Sequence, residues 1–295
     1  MVDKFHVTGI GEILWDMFPD GAQFGGAPAN FVCHSQALDA TSHMVSCVGN
    51  DELGRRALGF LQQHGVDTST VAQSEERPTG TVEIELDAEG AAQYEFAADV
   101  AWDALAWSDA LARAADEADV VCYGTLGQRS EVSKNTIQRF LKRTTDDCLC
   151  VFDVNLRQHF YSEALIRDSL KFANILKLND EELPVLGSSC GLWGSETDVM
   201  QQVREQYNLR LVALTRGEKG AILITEDSVS ECDGFAVEVK DTVGAGDAFT
   251  AAMTLGLLMG HELDRINEHA CRVAAFVCSQ DGAAPKLPDD LKLDK

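Results

Sequence analysis

"DTVGAGDAF", residues 241–249, brackets a Gly-Ala-Gly turn with two aspartates and leads into a small, apolar run. Glycines at 244 and 246 admit backbone torsions closed to other residues. The pattern from Ala248 to Met259 predicts a helix, so the amide N–H groups of Gly244, Ala245, Gly246 and Asp247 can converge at its amino end as an anion hole. Asp247 then stands beside bound phosphate, a costly place for a carboxylate unless chemistry needs one. A base that accepts the proton of an attacking hydroxyl is such a need. The competing reading is a helix cap.

The chain of 295 residues is 45% hydrophobic and 24% charged, enough to bury a full core. A net charge of -24, from 48 acidic against 24 basic residues, argues against nucleic acid or an anionic membrane as a partner. Any anionic ligand must be held locally. Nine cysteines without a C-x-x-C spacing suggest reduced thiols. MVDKFHVTGIGEIL has no basic segment before a long apolar stretch, and no window reaches membrane-spanning length, so a soluble cytoplasmic protein is expected.

Apolar, β-rich runs such as FHVTGIGEI, MVSCVG, DVVCYGTL, CLCVFDVN, NILKLN, LRLVALT and AILIT alternate with helical patterns. Those helices are read at 29–38, 52–64, 131–142, 195–207, 248–259 and 265–280. The alternation signals βαβ units and a mainly parallel sheet covered on both faces. Two stretches break the rhythm. TVEIELDAEGAAQYEF, residues 81–96, reads as an antiparallel hairpin around an Asp-Ala-Glu-Gly turn, and LWDMFPDGAQFGGAP, residues 14–28, carries turn residues. Together they suggest a lid on a single domain spanning 1–295, with excursions at about 14–28 and 79–101.

Other phosphate motifs fail. GNDELGRR at 49–56 has Walker-like glycines but Arg55-Arg56 where Lys-Ser/Thr is required, and GIGEIL at 9–14 lacks the third glycine of a dinucleotide fingerprint. GGAPAN at 25–30 reads as a turn entering a helix. Gly25 and Gly26 let backbone approach a small ligand, Pro28 suits the first turn, and Asn30 can both donate to and accept from a hydroxyl pair. FDVNLRQHFY at 152–161 ends a strand with Asp153, Asn155 and Arg157, where α/β sheets open their ligand crevice. Arg157 reads either as a substrate or phosphoryl contact or as a structural salt bridge. LNDEEL at 178–183 spaces Asn179 and Glu182 by three, which places both on one helical face.

The nine residues 241–249 resemble the second signature of the PfkB, or ribokinase-like, carbohydrate kinases, and GGAPAN resembles the first. The resemblance runs from Asp16 to Pro285 with motifs in family order. It implies an α/β, ribokinase-like three-layer fold with a mainly parallel central sheet and a small β lid. It also implies Asp247 as catalytic base and an anion hole over Gly244, Ala245, Gly246 and Asp247. Asp16 is implied on sugar hydroxyls, joining Gly25, Gly26, Asn30 and Arg157. The N-x-x-E pair Asn179 and Glu182 matches residues associated with the water shell of Mg²⁺. TRGEKG, with Thr215, Gly217 and Gly220, resembles the loop beside the ATP phosphates. Asp241, Val243 and Gly282 loosely match a monovalent cation site, which leaves room for K⁺. Relatives dimerise through the lid, so a homodimer is expected.

The function implied is transfer of the γ-phosphoryl group of ATP to a primary hydroxyl of a small sugar, with Asp247 ionised at a helix terminus that favours its charge. GGAPAN, RPTGT, VAWD and DVNLR look most like bacterial fructokinases, which makes fructose the first expected substrate. Ketodeoxygluconate, ribose and aminoimidazole riboside are the alternatives. A non-catalytic sugar-binding or regulatory relative is the alternative of another class.

Overall fold

Strand by strand, alternate residues of the central sheet turn to opposite faces and meet different helices. A computed structural model describes residues 4–19, 21–86 and 92–292. Its first half runs β1 (His6–Ile10), β2 (Leu14–Phe18), β3 (Gly21–Gly25), α1 (Ala27–Ala37), β4 (Thr41–Gly49), α2 (Glu52–Gln63), β5 (Val71–Ser74), β6 (Gly80–Leu86) and β7 (Ala92–Phe96). There follow α3 (Asp109–Glu117), β8 (Val120–Tyr123), α4 (Glu131–Leu141), β9 (Leu149–Asp153), α5 (Glu163–Leu170), β10 (Ile175–Asn179), α6 (Glu182–Cys190) and α7 (Glu196–Tyr207). The chain closes with β11 (Leu211–Thr215), β12 (Ala221–Ile224), β13 (Val229–Cys232), α8 (Ala245–Leu258) and α9 (Leu263–Cys278).

Among the described residues, nine strands form the main sheet in the order β13-β12-β11-β10-β9-β8-β1-β4-β5. From β11 to β5 every pairing is parallel, and β12 and β13 add an antiparallel edge. Val120, Cys122, Leu149 and Val151 pack with α1, α2, α8 and α9, whereas Val121, Tyr123, Cys150 and Phe152 pack with α3 to α7. Burial on both faces explains why these strands read as continuous apolar runs. The expected three-layer, mainly parallel architecture is therefore the observed one.

The two irregular stretches meet. β2 pairs antiparallel with β3 and parallel with β6, and β6 pairs antiparallel with β7, giving a four-stranded sheet ordered β3-β2-β6-β7. The Asp-Ala-Glu-Gly turn expected at 87–90 lies outside the described residues. The return from this sheet is clamped by Arg129, which holds Asp103 through two hydrogen bonds of 2.8 and 2.7 Å and lies 4.0 Å from the centroid of the Trp102 ring. No described helix is long and apolar enough to cross a membrane, and all nine cysteines are unpaired.

Candidate active site

The amino end of α8 lies against α1 and the segment after α9. Gly244, its N-cap, has φ of 79°, and a Cβ there would lie 2.0 Å from the carbonyl oxygen of Ala283. Only glycine meets both demands. That carbonyl is held from the other side by the Nε2–H of buried His34, at 2.9 Å. Asp247 stands in the first turn of α8, half-buried. Asn30, on α1 and only 3% exposed, donates from Nδ2 to Asp247 Oδ2 at 2.9 Å. Burial pushes the Asp247 carboxyl above its ordinary range, against the opposing pull of the Asn30 hydrogen bond and the Lys177 and Arg157 charges.

The expected substrate residues gather on the same side. Asp16, on β2, lies so close to β3 that a Cβ at Gly25 would sit 2.7 Å from its Oδ2. Burial raises Asp16 to about 6, with Arg157 opposing and Asp241 adding to the rise. Gly26, with φ of 113°, turns the chain into α1 where a Cβ would meet the Glu12 carbonyl at 2.6 Å. Pro28 follows in the first helical turn, as expected. Arg157 is exposed, its guanidinium donating to Leu156 O at 3.0 Å, and among the described residues it forms no ion pair within 4.0 Å. Of its two readings, the structural salt bridge is absent there, while its charge reaches Glu12, Asp16 and Asp247. Gln158 donates to the Tyr94 carbonyl, joining this loop to β7 of the small sheet.

Sequence reasoning missed two buried charged residues here. Lys177, on β10 and 6% exposed, lies 3.1 Å from Asp153 Oδ1, and a Cβ at Gly246 would sit 3.0 Å from its Nζ. Glu12, just after β1 and 2% exposed, has an Oε2 with no hydrogen-bond partner among the described residues. Burial raises its carboxyl to about 7, with backbone amides and Arg157 opposing the shift and Asp247 adding to it.

Asn179 and Glu182 do come together, but not on one helical face. Asn179 ends β10 and Glu182 opens α6, so they face each other across a tight turn. Glu182 N donates to Asn179 Oδ1 at 2.8 Å, while Glu182 accepts from Asn179 N and Leu156 N at 2.9 Å each. Each carboxylate oxygen keeps a lone pair, which suits a Mg²⁺ reached through water rather than gripped directly. Thr215 is the register partner of Asn179 on β11. Gly217 follows it with open space beside its Cα, whereas Gly220 is packed against the Cys232 carbonyl and has a structural need to lack a side chain. Asp241 accepts from Val243 N at 2.9 Å, which shapes the loop into α8, and Gly282 has φ of 80°. Arg216, between Thr215 and Gly217, is engaged by Glu231 at 2.8 Å and Glu196 at 3.9 Å.

A separate cavity of about 160 Å³, lined by His6, His43, Asp67, Arg113 and Glu117, involves the amino-terminal part of β1 instead. The chemical groups converge at the opposite, carboxyl ends of the parallel strands, where α/β sheets bind ligands.

A glycine-lined helix amino end beside a carboxylate, at the mouth of such a sheet, suits a phosphotransferase acting on an alcohol. Residues 21–290 match the pfkB family carbohydrate kinase profile, and the chain belongs to that family. An uncharacterized sugar kinase of Pyrococcus horikoshii, PH1459, is 31% identical over 308 residues, spanning 97% of this chain and 94% of that protein. Its crystal structure in complex with ATP matches with a TM-score of 0.79, covering 94% of each chain. The fructokinase of Escherichia coli is 26% identical over 297 residues, 95% of each chain. The fructokinase of Vibrio cholerae O395, crystallised with fructose, ADP and calcium ion, is 24% identical and shares the fold at a TM-score of 0.79 over 96% of each chain.

Proposed function

We propose that this carbohydrate kinase transfers the γ-phosphoryl group of ATP to a primary hydroxyl of a small sugar, with fructose the first substrate to test. The observation that carries the reading is the 2.9 Å contact of Asn30 with Asp247 at the glycine-lined amino end of α8. Asp16, Gly25, Gly26 and Asn30 orient the sugar. Asp247 accepts the proton of the attacking hydroxyl, and the amides of Gly244, Gly246 and Asp247 hold the charge that develops on the phosphoryl oxygens, joined by that of Ala245 once its 3.3 Å bond to Thr242 O is released. Arg157, without a carboxylate partner among the described residues, supplies a cation at the crevice. A loose transition state asks more of positioning than of base strength.

Asn179 and Glu182 would hold Mg²⁺ through water, and the ion would neutralise phosphate charge when bound. Thr215 and Gly217 border the nucleotide phosphates. The exposed side chains of Phe235, Val237 and Val239, 39%, 39% and 60% accessible, offer an apolar wall for a purine. Closure of the β2-β3-β6-β7 sheet over the sugar would exclude water. The same sheet is the proposed homodimer contact, and the loop of Asp241, Val243 and Gly282 the proposed K⁺ site. A cytoplasmic location accords with the unpaired cysteines. The sugar assignment draws on the fructokinase relatives and on the GGAPAN and DVNLR runs. Mg-ATP-dependent phosphorylation across fructose, ketodeoxygluconate, ribose and aminoimidazole riboside tests it: highest kcat/KM on fructose is expected, and turnover on none of them contradicts the reading.

A further inference from the structure

We propose that the buried ion pair of Lys177 and Asp153 is a positioning unit for phosphoryl transfer, holding the first turn of α8 and setting the field at the Asp247 carboxylate. This deepens the kinase reading and rests on Asp247 as its base.

Both partners lie beneath the anion hole. Lys177 and Asp153 are 6% and 4% exposed and come from adjacent strands, β10 and β9, with Lys177 in register beside Asp153. Lys177 Nζ abuts Gly246, because a Cβ there would approach it to 3.0 Å. Thr250, one turn further along α8, donates to Gly246 O at 2.9 Å and reaches Asp153 Oδ2 at 3.4 Å. The pair is thus fastened to the very turn that forms the hole. Glycine at 246, whose torsion is ordinary for a helix, is explained by the ammonium it admits.

A buried ion pair is weak evidence for stability, since well-packed neutral residues often serve as well. Its location beside a reacting carboxylate gives it another use. Asp247 is faced by Asn30 from α1, Lys177 from β10 and Arg157 from the loop after β9, and its charge also acts on Glu12 and Asp153. Lys177 is paired as a cation with the Asp153 carboxylate at 3.1 Å, and that cation opposes the upward push of burial on Asp247. Asp153 moderates the effect by drawing Lys177 toward itself. Two variants separate these contributions with opposite signs. Asp153→Asn keeps the ammonium and removes its near counter-charge, so Asp247 should ionise more easily. The double variant Lys177→Met/Asp153→Asn removes both charges, leaves no unpaired ion behind, and should make Asp247 harder to ionise.

The test is a carbon-13 NMR titration of the Asp247 carboxyl in full-length protein labelled at aspartate, the resonance being identified by its loss in Asp247→Asn. Expected is a midpoint lowered by about one pH unit in Asp153→Asn and raised above wild type in the double variant, with the acid limb of kcat moving in the same order. A merely structural pair leaves the midpoint where it is in both variants, and either that result or the reversed order overturns the proposal. The titration needs no turnover. An active Asp247→Asn enzyme would therefore remove the base reading separately, while the order of midpoints still decides the role of the pair.

Discussion

Asn30 Nδ2 and Asp247 Oδ2, 217 residues apart in the chain, are joined by a 2.9 Å hydrogen bond that ties α1 to the first turn of α8. The bond favours the ionised carboxylate against burial, which otherwise raises it. It also occupies Oδ2 and so distinguishes the two carboxylate oxygens. Asn30→Ala should therefore lower kcat by on the order of tenfold to a hundredfold through misplacement of the base. The acid limb of the kcat–pH profile should move to higher pH, because the base works only when ionised and its proton is now held more tightly. Steady-state kinetics across neutral pH checks both.

Gly25 lies where a methyl group would strike the Asp16 carboxylate, at 2.7 Å from Oδ2. Gly25→Ala should displace that carboxylate without disturbing the α8 hole. The expected outcome is a sugar KM raised about tenfold, the loss of roughly one charge-assisted hydrogen bond, with KM for ATP unchanged. Equal changes in both constants would contradict the assignment of Asp16 to the sugar.

Glu12 gives a stability prediction with a definite sign. Its folded carboxyl is raised to about 7 from an ordinary value of 4.5 by burial. The unfolded chain releases this proton first, so wild-type stability falls as pH rises from about the ordinary value toward the raised one, and the penalty is complete above it. At one to two kcal/mol per pH unit the whole effect is on the order of 3 kcal/mol. Glu12→Gln removes the titration. Urea denaturation should show the variant gaining stability relative to wild type as pH rises through this window, and a difference independent of pH would contradict the prediction.

Gly244 is the N-cap of α8 with φ of 79° and a carbonyl at 2.0 Å from any added Cβ. Gly244→Ala should cost at least about 1–2 kcal/mol from the left-handed torsion alone. Thermal unfolding should report a lowered Tm, with kcat reduced further than stability explains because the anion hole opens.

Much of this site was legible because glycine and carboxylate patterns are local. DTVGAGDAF announces its own turn, and α8 begins within it, as GGAPAN announces the entry to α1. The lid was legible only in pieces: period-two alternation marks the β6–β7 hairpin, but the parallel pairing of Leu14 with Gly80 joins segments that share no local signal. Lys177 was illegible for a different reason. A lysine inside ILKLN reads as a strand residue turned to solvent, since lysine is rarely buried without a partner, and its partner Asp153 lies 24 residues away on the next strand. Glu12 was obscured because GIGEIL was judged as a nucleotide fingerprint and set aside. Asn179 and Glu182 were correctly paired by spacing but placed on a helix, because the sequence does not mark where β10 ends.

The role of Asp247 is tested most directly by Asp247→Asn in a Mg-ATP phosphorylation assay with the sugar that wild type turns over best, alongside a binding measurement for the same sugar. Loss of at least about a hundredfold in kcat with sugar binding and Tm retained is the expected result; full activity in the folded variant would contradict it.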